Sequence, residues 1–195
     1  TQDNEDADYE TSADNLGLSS LFGYKLTPKL AASALAQYRS TILSNFNNPG
    51  YFDIGAGATW TPIPNMVVVF HPLNYNFIFA EDDLNYESSL GCKIVADYAK
   101  ALPKGIAWKT NLSVFVSYSD PKNYSNWIWT NGFALTVWKG LGLGFELGLK
   151  NSRQEGYNYK LVQDNLDPED FKIDDLEGGD NPLQTYWLLG FTYNL

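Results

Sequence analysis

Apolar and polar positions alternate with period two along most of the chain. The last residues, "QTYWLLGFTYNL" (184–195), set Trp187, Leu189, Phe191, Tyr193 and Leu195 against a mostly small or polar face with Gly190, Thr192 and Asn194. Side chains of a β-strand point to opposite faces in turn, so each such segment carries one greasy face and one polar face. The same grammar runs through 15–26, 29–42, 51–61, 86–100, 106–118, 127–137 and 141–149. Residues 106–118 show it most cleanly, with Ile106, Trp108, Leu112, Val114, Val116 and Tyr118 against Lys109, Asn111, Ser113 and Ser117. "MVVVFHPLNYNFIFAE" (66–81) is apolar on both faces before Pro72 and alternates after it. Proline cannot donate to a ladder, so this segment reads as one long strand bent or bulged at Pro72. Nine strands result, and none of the connections shows the three-and-four spacing of a helix.

Alternation alone fits any half-buried antiparallel sheet. Strand length and aromatic placement narrow it. These strands exceed the ~5–6 residues usual in soluble proteins and match the ~9–11 that a tilted strand needs to cross a bilayer. Tyr24, Tyr38, Phe52, Trp60, Tyr86, Tyr98, Trp108, Tyr118, Trp127 and Tyr193 stand near strand ends on the apolar face. Rings of this kind gather at the headgroup level and form girdles around an apolar band. The opposite faces carry Arg39, Asp53, Glu87, Lys93, Asp97, Lys109 and Glu146. Such charges need water or each other, and the lumen of a membrane barrel offers both. The expectation is an all-β, antiparallel transmembrane barrel. Leu112, Val114 and Val116 face lipid; Asn111, Ser113 and Ser117 face the lumen.

The connections alternate between short ("TPK", "TPIPN", "LPKG", "KG") and longer ones (43–50, 80–86, 119–124 and 151–182). Outer-membrane barrels place short turns in the periplasm and long loops outside. With the last strand running toward the periplasm, the first of nine does so too. An odd number of earlier strands is then expected, making this chain the C-terminal part of a longer barrel. Domain organisation follows: 1–195 is one barrel domain, with 151–182 its long acidic extracellular loop.

The chain's end resembles the terminal strand of outer-membrane barrels, with Gly190 at the sixth-last position, Tyr193 third-last and Leu195 last. The resemblance implies that these residues form the signal read by the barrel-assembly machinery. Leu188 departs from the polar residue usual at the eighth-last position, and Leu195 from the commoner Phe. "DNLGLSSLFGYKLTPKLAASALAQYRS", "WTPIPNMVVVFHPLNYNFIF" and "NWIWTNGFALTVWKGLGLGFELGL" resemble successive parts of an uncharacterised family of Bacteroidota outer-membrane barrels. Where that family has a Phe-Ser-Pro-Leu-type tetrapeptide, this chain has Phe70, His71, Pro72 and Leu73. The resemblance implies about three further strands and a barrel of about twelve, an even number as bacterial single-chain barrels have. It implies no particular activity.

The balance of 13 basic against 23 acidic residues, a net charge of −10, disfavours a nucleic-acid surface, which must be basic. No uncharged apolar run reaches the 18 residues of a membrane helix. The first residues are not a signal peptide. Cys92 is single and reads as a small apolar strand residue. His71 is the only histidine. A Ser–His pair would allow lipid hydrolysis, but no serine sits in a recognisable nucleophile motif. "GLGLGFELG" (140–148) has no following helix and is not a nucleotide loop; its alternating glycines let another backbone or a plug approach. In the acidic segment Asp174, Asp175, Glu177 and Asp180 are candidates for calcium, which favours clustered carboxylates, without the spacing of a twelve-residue calcium loop. A solvated acidic loop is the plainer expectation.

No catalytic residue and no cofactor is expected. The functional expectation is a non-catalytic subunit or scaffold of an outer-membrane complex in a Gram-negative bacterium. Its partners would be membrane lipid and other outer-membrane proteins. A small pore or transporter is the alternative, with a lipid hydrolase and a soluble ligand-binding barrel behind it. The lumen decides between the first two. A pore keeps its charges solvated, whereas a scaffold fills its interior with paired side chains. Among the lumen candidates Arg39, Asp53, Lys93, Asp97, Lys109 and Glu146, the mixed signs of Lys93, Asp97, Lys109 and Glu146 favour pairing.

Overall fold

The computed structural model describes residues 16–42, 46–81, 84–138, 141–176 and 183–193, with side chains as far as 191 in the last segment. Nine strands follow one another: β1 (Leu16–Thr27), β2 (Leu30–Ser40), β3 (Gly50–Trp60), β4 (Met66–Phe79), β5 (Ser89–Leu102), β6 (Ile106–Ser117), β7 (Asn126–Trp138), β8 (Leu141–Ser152) and β9 (Gln184–Tyr193). They form a single sheet in sequence order, every neighbouring pair antiparallel. The nine strands and their antiparallel pairing are as expected from the sequence. The sheet is not closed. β1 and β9 each have a strand partner on one edge only among the described residues. Nine antiparallel strands leave the first and last running in the same direction. Closing the gap by antiparallel pairing therefore takes an odd number of additional strands.

β4 bulges where Pro72 predicted it. Pairing slips between His71 and Asn74 on the β5 side and between Ala56 and Ala58 on the β3 side. Gly57 faces this bulge, and a Cβ there would collide with the Phe70 carbonyl, the His71 Cα and the Pro72 ring. Glycine is what lets the bulged strand lie so close.

The two faces of the sheet have opposite characters. Leu18, Phe22, Trp60, Phe70, Leu73, Leu112, Val116, Trp129, Trp187 and Phe191 are exposed on the outer face. Buried on the inner face are Ser33, Asp53, His71, Asn74, Asn76, Lys93 and Ser117, with few apolar residues (Leu35, Val69, Phe115) among them. A water-soluble sandwich has the reverse distribution. Aromatic contacts run across strands on the outer face: Phe52 meets Phe77, and Trp108 lies between Tyr98 and Phe133.

Two parts of the sequence reading are corrected. Tyr86 and Glu87 precede β5 and lie in the β4–β5 connection; Tyr86 packs edge-on to Tyr51 at one end of the inner face. The connections also contain helices, α1 (Pro121–Tyr124) and α2 (Arg153–Asp164), with 3-10 turns at Pro103–Gly105 and Ile173–Asp175. The described part of the acidic segment is thus a folded cap. α2 starts where the Ser152 hydroxyl accepts from the Glu155 amide and ends at Asn165 in the left-handed conformation. Tyr157, Leu161 and Leu176 form a small core with Leu166, Phe171 and Ile173 against it. No helix among the described residues is long and apolar enough to cross a membrane.

Candidate functional site

The centre of the inner face is a buried ion pair. Strand register places Asp53 on β3 opposite Asn76 on β4, and His71 on β4 opposite Lys93 on β5. Lys93 Nζ lies 3.0 Å from Asp53 Oδ2, with both side chains 1% exposed. The amides of Asn74 and Asn76 donate to Asp53 Oδ1 at 3.0 and 3.1 Å. The carboxylate thus has three donors, which offsets the loss of water that burial imposes. Arg39 stacks its guanidinium over the Tyr51 ring, 5.4 Å from its centre. Arg39, Asp53 and Lys93, expected from the alternation to point inward, belong to this one cluster.

Beside it, Ser33 Oγ lies 2.9 Å from His71 Nε2 and accepts from the Thr59 hydroxyl at 2.8 Å. No spacing in the sequence joins Ser33 to His71, because Gly57 and the bulge bring strands two apart into contact. The pair has the arrangement of a nucleophile and its base. It is also sealed, with Ser33 7% and His71 0% exposed. Its hydrogen bonds tie β2, β3 and β4 together on this face.

The cap is tied to the β4–β5 connection through two side-chain amides. Gln154 accepts from the Glu87 amide at 2.7 Å and donates to the Glu87 carbonyl at 3.2 Å. Asn158, one turn later, does the same with Asn85, at 2.7 and 3.1 Å. An amide side chain carries both donor and acceptor, so each residue clasps a backbone as a neighbouring strand would. Glu155 accepts from the Tyr51 hydroxyl at 3.0 Å and pairs with Lys150 at 2.8 Å, linking the cap to the network on the inner face. Gln154→Ala removes two bonds and leaves the backbone of Glu87 short of partners. The expected loss in cap docking is about 1–3 kcal/mol. Hydrogen exchange reads it as faster exchange of the Glu87 amide, and unchanged protection would contradict the clasp.

Burial pushes the Tyr86 phenol up to about 12, helped by the nearby Glu155 carboxylate. A raised acid favours its neutral form in the folded state. Its stabilisation is therefore present below the unfolded value of ~10 and lost as pH rises through about 12. In ring-labelled protein the Tyr86 carbon resonance should titrate near 12 and move down in Glu155→Gln; a midpoint near 10 would show that Tyr86 is solvated.

Toward the short turns the inner face opens into a trough of about 590 Å³. Asp97, Lys109 and Glu146 line it, with Ala99, Ala107, Gly132, Ala134, Gly144, Leu188 and Gly190. Asn111 donates to Asp97 at 2.7 Å and Tyr186 to Glu146 at 3.4 Å. Lys109 forms no salt bridge among the described residues. Mutual pairing of these three charges, one expectation from their mixed signs, does not occur.

Of the calcium candidates, Asp174 pairs with Lys122 and accepts from Asn123, tying the cap to α1. Those two donors hold its carboxyl below the usual range. Asp175 accepts from the Lys172 amide. Glu177 and Asp180 lie outside the described residues, and no cluster of three or more metal-ligand side chains occurs among those described. Gly190 is on β9 opposite Gly144, and the Tyr193 backbone ends that strand opposite Leu141; Leu195 lies outside the described residues. Cys92 is a free thiol on β5.

No family model, no curated protein and no solved structure matches this chain.

Proposed function

We propose that this chain is a non-catalytic, membrane-spanning β-barrel of a Gram-negative outer membrane, acting as a structural subunit of a larger assembly. The observation that carries the proposal is the inverted sheet: a buried ion pair and polar side chains on the inner face, bulky apolar side chains bare on the outer one. Exposed apolar patches of more than a few hundred Å² drive association in water; acyl chains remove that cost. An eleven-residue strand such as β2, tilted by ~45°, rises about 26 Å, close to the ~25 Å apolar band of such barrels. Among the described residues β1 and β9 each have one edge without a strand partner, and closure by antiparallel pairing takes an odd number of strands between them.

Two features support a subunit over a pore. The Asp53–Lys93 cluster fills the centre of the inner face, and the cap clasps the connection above it. The cap also presents Asp167, Glu169 and Asp170 to solvent, a surface suited to a basic partner. What favours the alternative, a small solute pore, is the trough with its solvated Lys109. The discriminating experiment is single-channel recording of the natively extracted barrel in planar bilayers. No conductance above the lipid baseline is expected, together with co-purifying proteins that dissociate as salt rises or when Glu169→Gln and Asp170→Asn are combined. Stable conductance from the barrel alone would make it a pore.

A further inference from the structure

Glycine occupies the inner face for two different reasons. At Gly55, Gly57 and Gly91 a Cβ would strike the Asn74 side chain, the β4 bulge, or the Val116 carbonyl and Phe115 ring. Packing requires those glycines. At Gly132 and Gly190 nothing lies within 4 Å of where a Cβ would be, and at Gly144 only the Gly190 carbonyl oxygen does, at 3.8 Å. Glycine weakens a strand interior. All three line the trough, where no neighbouring atom demands their absence of a side chain and the result is depth.

Charge is laid out around that depth. Lys109, Gly132 and Glu146 stand in one row across β6, β7 and β8. Two inter-strand steps separate the Cα atoms of Lys109 and Glu146 by about 10 Å. Asn111 and Tyr186 hold the two carboxylates of the trough with neutral donors. The Lys109 ammonium is left without an ion pair among the described residues. A cation and a carboxylate therefore face an empty glycine floor from its two sides.

We propose that the trough binds a short zwitterionic peptide, its carboxylate at Lys109, its ammonium at Glu146 and its backbone across Gly132. Three extended residues span about 10 Å, which matches the row. Small apolar side chains fit against Ala99, Ala134 and Leu188. The second carboxylate, Asp97, leaves the site with one negative charge in excess, suited to a peptide ammonium. The inference rests on this face being the lumen, and not on the subunit reading.

The test is isothermal titration of the purified full chain in detergent with trialanine, and with the same peptide acetylated and amidated so that it carries no charge. Trialanine is expected to bind at one saturable site. Lys109→Gln and Glu146→Gln should each weaken it about tenfold or more, the scale of one lost charge-assisted contact. Gly132→Val should abolish it by filling the floor, with circular dichroism confirming the sheet; Gly190→Val serves the same purpose at β9. The neutral peptide should not bind. Absence of trialanine binding to the wild type, equal binding of the neutral peptide, or full affinity in both folded valine variants would each overturn the proposal. None of these results alters the conductance measurement, so failure of the peptide site and failure of the closed-barrel reading are separable.

Discussion

Replacing Lys93 with methionine while Asp53 stays in place is expected to destabilise the protein by about 3–5 kcal/mol, because it leaves a buried carboxylate without its counter-charge. The loss is that large because both partners are 1% exposed and water cannot re-enter. The double variant Asp53→Asn, Lys93→Met should recover most of it. The new side-chain amide would still offer an oxygen to Asn74 and Asn76, which now donate to Asp53. Asp53→Leu with Lys93→Met should recover less, since two buried amides lose their acceptor at about 1–3 kcal/mol each. Urea unfolding of all four proteins in one detergent gives the comparison. A single Lys93→Met change costing under about 1 kcal/mol, the range of exposed pairs, would mean that the interior is wet.

The second large effect is on the other face. Val114 sits on the outer face of β6 between Ile94 and Trp127. Val114→Arg is expected to cost about 2–4 kcal/mol if the residue lies at mid-bilayer, since arginine must then enter hydrocarbon. Val114→Leu should be close to neutral. Unfolding from lipid vesicles measures both; an arginine tolerated as well as leucine would place Val114 against water.

The sheet was legible because period-two patterning needs only local sequence. Pro72 marked its bulge for the same reason. The pairings inside were not legible. Alternation turns Asp53 and Lys93 to one face, but only strand register decides that they meet, and register is a property of neighbouring strands. The contact of Ser33 with His71 depends in addition on Gly57 admitting the bulge. The α2 helix escaped notice because Tyr157 and Leu161 make a very narrow apolar stripe, with Gln154 and Asn158 as its other buried side chains. A local signal was present: Ser152 and Glu155 have the Ser-x-x-Glu spacing of a helix start, and Asn165 followed by Pro168 has the composition of an end. The trough needed structure as well, since its glycines look like those of the packed region until their neighbours are known.

The central claim is that the apolar face meets lipid and the polar face turns inward. Spin labels placed singly at residues 111–117, in a Cys92→Ser background reconstituted in vesicles, test it most directly through collision with dissolved oxygen and with a water-soluble nickel complex. The expected result alternates with period two: labels at 112, 114 and 116 relaxed by oxygen and not by nickel, labels at 113, 115 and 117 shielded from both. Nickel access at 112, 114 and 116, or no alternation at all, would contradict it.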